Sequence, residues 1–338
     1  MNYDQFNRKI GVVLYQSDNG NAKDFSNFRV SFEVQNSDAE TPNNAVIRIY
    51  GLSKITIIDL ITKDEFSDIA LSAGYVNDNN FAIIFKGQIK QYRHGKEDAT
   101  TTFLDILAAD GDAFYNQTFI NESISAGIQG SQANVLNKIA KDNGLDVNYN
   151  GIIKSDNFHQ PSIRGKVLWG MPKVMTRNIA RSINCGWSIQ NGVLQVVDNR
   201  YYLNNEVVEL NSETGLVGMP ELTDEGIRMT CLLNCKLVIG SLVKLNNSII
   251  NRTDFTKRSV GAEPYNRYKA FQHIAPLDGA NDGDGYYRLF VVEHEGDTRG
   301  NNWYSHIIAL AMDFSHQEVS EYPSQNPNTI NTQSIAQP

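Results

Sequence analysis

The sequence predicts an α+β chain, mostly antiparallel β, in which two β regions flank a smaller α+β module. Three observations carry this. Period-two alternation of apolar and polar residues fills the first third and returns after about residue 206. Helix-spaced apolar stripes cluster between them, in a stretch of about 80 residues, an ordinary size for a small domain. Gly and Asn turn signals separate the short segments throughout.

Taken in order, Phe28, Val30, Phe32 and Val34 alternate with Arg29, Ser31, Glu33 and Gln35, which marks a strand with one buried face. Pro42-Asn43-Asn44 is a turn, and Ala45, Ile47 and Ile49 resume the alternation. Ser53 reads as the N-cap of a short helix through Ile55, Ile58 and Ile61. Strands return at Ile69-Leu71-Ala73 and from Phe81 to Ile89. Arg93-His94-Gly95-Lys96-Glu97-Asp98 reads as a polar hairpin connection, with Thr100 to Ala108 as the returning strand. Short antiparallel strands with one helix suggest a barrel or sandwich.

After about residue 117 the texture changes. Val135, Leu136, Ile139 and Ala140 form a helical stripe within Ser131 to Asn143, stopped by Gly144. Leu145 to Tyr149 alternates like a strand and ends at Asn150-Gly151. The plan repeats from Met171: a stripe of Val174, Met175, Ile179, Ala180 and Ile183, a strand at Trp187-Ser188-Ile189, then Asn191-Gly192 turning into Val193 to Val197.

From residue 206 the chain is again mostly β, with strands expected at Val207-Val208-Glu209-Leu210, Ile227 to Thr230, Leu237 to Leu245, Tyr286 to His294 and Trp303 to Met312. A long polar segment, residues 246–285, separates two of them, and a connection of that length is a natural contact surface. Residues 319–338 carry few large apolar side chains and read as a flexible tail. The resulting domains are 1–117, 118–205 and 206–318, followed by that tail.

Composition narrows the function. The 338 residues are 41% hydrophobic and 20% charged, a globular balance. The 38 acidic against 30 basic residues give a net charge of -8, which disfavours a phosphate-gripping face and would repel DNA rather than hold it. No apolar run approaches the roughly 18 residues of a membrane span. The segment Met1 to Arg8 lacks the apolar core of a signal peptide, so the expectation is no membrane anchor and synthesis in a cytoplasm. Cys185, Cys231 and Cys235 fit no disulfide framework or C-x-x-C motif and read as buried free thiols.

No pattern points to chemistry. His294-Glu295-Gly296-Asp297 has the residue types of a metal or acid–base cluster, but Gly296 to Asn302 reads better as a polar turn between two strands. Asn281-Asp282-Gly283-Asp284-Gly285 misses the calcium-loop pattern, since Ala280 falls on the first ligand position and Val291 on the late Glu. Asp110-Gly111-Asp112 reads as a turn at a strand end. Phosphate-loop, dinucleotide and nucleophile-elbow motifs do not occur. The expectation is therefore no enzyme, with no catalytic, cofactor-binding or metal-binding residues and no cofactor.

Three segments together resemble the baseplate hub proteins of contractile bacteriophage tails. The first is Ala45-Val46-Ile47-Arg48-Ile49-Tyr50-Gly51-Leu52-Ser53, with Leu71-Ser72-Ala73-Gly74-Tyr75 and Ile84-Phe85-Lys86-Gly87-Gln88-Ile89. The second is Thr214-Gly215-Leu216-Val217-Gly218-Met219-Pro220, continuing to Leu232-Leu233-Asn234 and Gly240-Ser241-Leu242-Val243. The third, and sharpest, runs from Gly285-Tyr286-Tyr287-Arg288 through His294-Glu295-Gly296-Asp297-Thr298-Arg299-Gly300 to Trp303-Tyr304. Where many such hubs carry a proline after Leu-Leu-Asn, this chain has Cys235, a departure that bears on a local turn.

The resemblance implies a structural virion protein with two tail-tube-like β-barrel domains joined by the α+β domain. It implies a homotrimer that extends the tail tube and adapts its sixfold symmetry to a threefold central spike. Its partners would be itself, the tail tube or distal tube protein, the spike and other baseplate proteins, with genomic DNA passing through the lumen without specific binding. Its place would be the tail baseplate, after assembly in the host cytoplasm. Two other classes stand beside it. A carbohydrate-binding or adhesin module needs exposed Trp, whereas Trp169, Trp187 and Trp303 sit in apolar or strand-adjacent settings. A cell-wall hydrolase needs a framed carboxylate pair, which the sequence does not offer.

Overall fold

The computed structural model describes residues 7–16, 21–62, 66–76, 80–148, 158–198, 201–223, 226–245 and 285–311. The polar segment 246–284, with most of the calcium-like run, and the tail beyond residue 311 lie outside the described residues, as does Met1 to Phe6. The fold is mostly antiparallel β with a few helices.

The first β region comprises β1 (Arg8–Tyr15), β2 (Ala22–Asp24), β3 (Val30–Ser37), β4 (Asn44–Tyr50), α1 (Lys54–Thr62), β5 (Asp68–Tyr75), β6 (Phe81–Lys96) and β7 (Thr102–Ala109). Alternation works here as the physics demands: Val30, Phe32 and Val34 are buried, and so are Ala45, Ile47 and Ile49 on the paired strand. Two readings need correction. First, β6 runs on to Lys96, so Arg93 to Lys96 belong to the strand and the turn is only residues 97–101, closed by the Asp98 carboxylate accepting the Thr100 and Thr101 N–H groups. Cross-strand pairing overrode polarity, because Arg93 gains Asp105 on β7. Second, α1 begins as expected, with the Ser53 hydroxyl accepting the Thr56 N–H at 3.1 Å. Its buried side chains, however, are Ile57 and Leu60, while Ile55, Ile58 and Ile61 are exposed. A helix apolar on nearly every side offers no unique stripe to read.

The middle module comprises α2 (Asp112–Asn116), β8 (Ile120–Ile124), α3 (Gln132–Asp142), β9 (Asp146–Asn148), β10 (Lys166–Gly170), α4 (Pro172–Ser182), β11 (Cys185–Gln190) and β12 (Val193–Asp198). Helix α3 is capped by Ser131 and stops before Gly144 at φ 69°, a left-handed position that costs a glycine nothing. The β11–β12 hairpin turns on Asn191 and Gly192, both at positive φ, which matches the strand twist. β9 adds to β12 in parallel, so the two helix–strand units share one three-stranded sheet. Val135, Leu136, Ile139, Ala140, Ala180 and Trp187 pack into a core of their own.

The second β region holds β13 (Val208–Leu210), β14 (Leu216–Thr223), β15 (Gly226–Leu232), β16 (Leu242–Leu245), β17 (Gly285–Asp297) and β18 (Trp303–Ala311). The strand expected from Leu237 begins only at Leu242. Residues 234–241 instead form turns, with Gly240 at φ 86°, although Leu237 and Ile239 still fill the core. Apolar character there reflects burial and not pairing.

β17 pairs with β18 on one side and β3 on the other. The hydrogen-bonded order is therefore β14-β15-β18-β17-β3-β4-β7-β6-β5-β1-β2, with β16 on β17 and β13 on β16. Both β regions share this sheet, which among the described residues runs as an open path from β14 to β2. No helix among the described residues is long and apolar enough to cross a membrane.

Candidate assembly site where the β regions join

The join is built by the segment His294 to Trp303. β17 pairs with β3 residue by residue from Val291↔Ser37 to Asp297↔Ser31. Beyond the last pair, the Thr298 N–H donates to the Val30 carbonyl at 3.0 Å, and the Val30 N–H returns to the Thr298 hydroxyl at 3.1 Å. Asp297 Oδ1 accepts the Arg299 and Gly300 N–H groups and so closes the turn, while Oδ2 takes Arg29 at 2.8 Å. Burial works against the Asp297 charge, but Arg29 and the turn N–H groups outweigh it and hold its carboxyl below the usual range. Arg8, from β1, donates to the carbonyls of Asp297 and Gly300 and lies over the Trp303 ring. Trp303 in turn meets Phe32 edge-on, with centroids 5.6 Å apart, inside the first core. A Cβ on Gly296 would fall 2.5 Å from Phe32 and 2.7 Å from Trp303, so only glycine lets the strand pass.

Strand geometry separates the residues of this run. Successive residues point to opposite faces. His294 faces inward on a buried row with Val34 on β3, Ser305 on β18 and Cys231 on β15. Its Nδ1 lies 2.8 Å from the Ser305 hydroxyl, and burial pushes its pKa down to about 4, so it is a neutral core residue. Glu293 and Glu295 face the other way. There the register sets Asn44, Gln35, Glu293, His306 and Thr230 in one cross-strand row and Val46, Glu33, Glu295 and Tyr304 in the next. His306 bridges them, 3.3 Å from Glu295 and 3.0 Å from the Thr230 hydroxyl. The result is a polar, carboxylate-bearing face that crosses both β regions. Among the described residues no group of three or more His, Cys, Asp or Glu is placed to hold a metal ion.

A second junction fastens the middle module. Arg288, buried on β17, pairs with buried Asp38 and donates to the Tyr201 carbonyl at 3.1 Å. Ser188 of β11 reaches the other Asp38 oxygen at 3.5 Å. Desolvation exceeds the effect of Arg288 and raises the Asp38 pKa. Asn43 donates to the Ile189 carbonyl and the Gln190 side chain, and the Lys86 N–H donates to the Asn191 side chain. Asp110-Gly111 is a turn, as its sequence suggests, leading into α2 at Asp112, but it also docks this hairpin. Asp110 Oδ1 accepts the Gly192 N–H at 3.0 Å, while its buried Oδ2 accepts no hydrogen bond. Burial raises its pKa to about 7. Nothing in local sequence marked these contacts of Asp38, Arg288 and Asp110, since the partners lie between 82 and 250 residues away.

Two side-chain expectations change. Cys185 and Cys231 are buried thiols, but Cys235 is half-buried, with its N–H and Sγ on the Asn80 side chain. Trp187 and Trp303 are buried, but Trp169 is 70% exposed. It lies on β10, which pairs only with β8, so one face of this ribbon has no layer above it within the described chain. The apolar run Val167-Leu168-Trp169 gave no means of telling inward from outward.

Residues 28–253 match the family model described as Baseplate hub gp41. No curated protein matches the chain. Among solved structures, it is similar to the 43 kDa tail protein of prophage MuSo2 from Shewanella oneidensis, with 9% identity and TM-score 0.53 over 90% of this chain and 100% of that one. It is also similar to the tail protein from Neisseria meningitidis MC58, with 10% identity and TM-score 0.51 over 91% and 97% of the two chains. At these identities the likeness is one of fold.

Proposed function

Since the chain belongs to the baseplate hub gp41 family, a family of structural tail components, we propose that it is the trimeric hub of a contractile tail's baseplate. In this reading it extends the tail tube and converts the sixfold symmetry of the tube to the threefold symmetry of a central spike. Its domains divide at about residues 117 and 205, and each flanking β region forms a tube-like barrel. One observation supports it above the rest: β17 and β3 join both β regions into one sheet with a continuous polar face bearing Glu33, Glu293 and Glu295. Three copies of such a sheet supply six similar units around an axis. A carboxylate-bearing wall repels a phosphate backbone, so DNA slides past without being held. Its work is mechanical, with no catalytic step and no cofactor. It acts in the virion after assembly in the host cytoplasm, against tube, spike and neighbouring baseplate proteins.

The test is the native mass and symmetry of the purified chain. A threefold ring with six similar lobes around a channel is the expected result. A stable 37.8 kDa monomer at micromolar concentration overturns the reading.

Exposed Trp169 favours a second reading, a carbohydrate-binding module of the tail. It predicts retention on immobilised cell-surface glycan that Trp169→Ala abolishes.

A further inference from the structure

The β10 strand of the β8–β10 ribbon is apolar on its outward side as well as its inward one. Leu168, Ile120 and Ile124 point inward to the core of the middle module. Val167 and Trp169 point outward, 73% and 70% exposed, opposite Ser123 and Asn121. Phe119, just ahead of β8, meets Trp169 edge-on at 5.4 Å and is itself exposed. Met171 and Val174, where α4 begins directly after β10, are exposed too. A sheet with one solvated face alternates apolar with polar, and apolar residues on both faces are the pattern of a strand covered twice. From ordinary side-chain areas this patch exposes roughly 600 Å², at the upper limit for a monomer and approaching the ~800 Å² that each partner gives a specific interface.

A second uncovered apolar surface lies on a different core. Helix α1 buries Ile57 and Leu60 in the first β region and exposes Ile55, Ile58 and Ile61. Their spacing of three places them along one side of the helix, the arrangement by which a helix lays into an apolar groove. The two surfaces together offer roughly 900 Å² of apolar area, which with a polar rim clears the ~1,000 Å² of a stable contact. The exposed pair Val217 and Met219 on β14 is smaller and sits on a bulged edge strand that carries Pro220.

We propose that the β8–β10 ribbon of one copy seats the exposed stripe of α1 from a second copy. Two unlike surfaces on one chain make a head-to-tail contact, and such contacts close into a ring when the rotation allows. The proposal rests on the hub reading and supplies the contact by which its trimer forms. The polar side chains of Asn121 and Ser123 border the patch, so glycan retention is measured beside the assembly.

The test uses the full chain and two variants whose altered residues are all exposed: Val167→Glu/Trp169→Glu on the ribbon and Ile55→Glu/Ile58→Glu on α1. Light scattering and native mass spectrometry read the assembly, and thermal melting confirms that each variant is folded. The wild type is expected at three times its chain mass, with each variant alone falling to one chain. An equimolar mixture of the two is expected at two chains, because one intact contact remains between a ribbon and a helix. Disulfide trapping between Ile58→Cys and Val167→Cys copies provides a check that does not depend on disrupting the contact, and failure to trap overturns the proposal. A ribbon variant that keeps the wild-type mass also overturns it and leaves the hub reading standing, as does an α1 variant that does so. If the ribbon variant keeps its mass but loses glycan retention, the patch is a sugar platform. A wild-type monomer removes the ring altogether.

Discussion

Arg29 and Asp297 meet at 2.8 Å although 268 residues separate them in the chain. The carboxylate does two jobs, since it also closes the turn through the Arg299 and Gly300 N–H groups. Asp297→Ala loses both and is expected to cost about 2–3 kcal/mol, whereas Arg29→Ala, with its side chain partly in water, costs about 1 kcal/mol. Equal losses in thermal melting would mean that the turn contributes nothing.

Gly296 passes between Phe32 and Trp303 with no room for a methyl group. Gly296→Ala is expected to destabilise by about 2–3 kcal/mol through overpacking. Adding Phe32→Leu should recover part of that loss, and a double-mutant cycle in denaturant measures the coupling.

Asp38 and Arg288 are both buried where β3, β17 and the middle module meet. Asp38→Ala strands the guanidinium and is expected to cost roughly 3–5 kcal/mol. Asp38→Leu/Arg288→Met, which removes both charges, should lie closer to the wild type than either single change. If the double variant is the least stable of the set, the pair is worth more than its desolvation.

His294 titrates in the folded state near pH 4, below its ordinary value of 6.5, because burial disfavours its charge. The unfolded chain therefore binds a proton first as pH falls. Stability from this residue is whole above about pH 6.5 and declines between there and pH 4, by up to about 3 kcal/mol. His294→Gln should start lower at pH 7 yet lose less between pH 7 and 4.5. An unchanged loss would assign the titration to another group.

Asp110 works in the opposite direction. Burial raises its pKa to about 7, against hydrogen bonds from Gly192 and Asn191 and the charge of Lys86. The folded state holds its proton where the unfolded state has released it, so its contribution is present below about pH 4 and is lost as pH rises to 7. Asp110→Asn keeps an acceptor for the Gly192 N–H without the charge. It is expected to raise stability at pH 8 by about 1–3 kcal/mol and to leave it unchanged near pH 4. A variant less stable than the wild type at pH 8 would show that the ionised form is preferred.

How much of this was legible in the sequence depended on the range of each interaction. The Ser131 cap, the Gly144 stop and the Asn191-Gly192 turn were readable because their chemistry closes within a few residues. The family resemblance was readable too, in contiguous segments such as Ala45 to Ser53 and Thr214 to Pro220, which lie within the matched residues 28–253. The outward stripe of α1 and the exposure of Trp169 were not, because an apolar run on one element does not say which face a distant element covers.

The α+β class, the order of β, α+β and β segments, most strand faces and several turns are written in local sequence. These follow from periodicity, capping and backbone freedom, which act locally. Long-range folding settles that β17 joins β3, that His294 turns inward while its glutamate neighbours turn outward, and that Asp38, Asp110 and Arg288 hold the parts together. Register across strands and partners more than 80 residues away fix those outcomes, and both depend on where the chain returns in space.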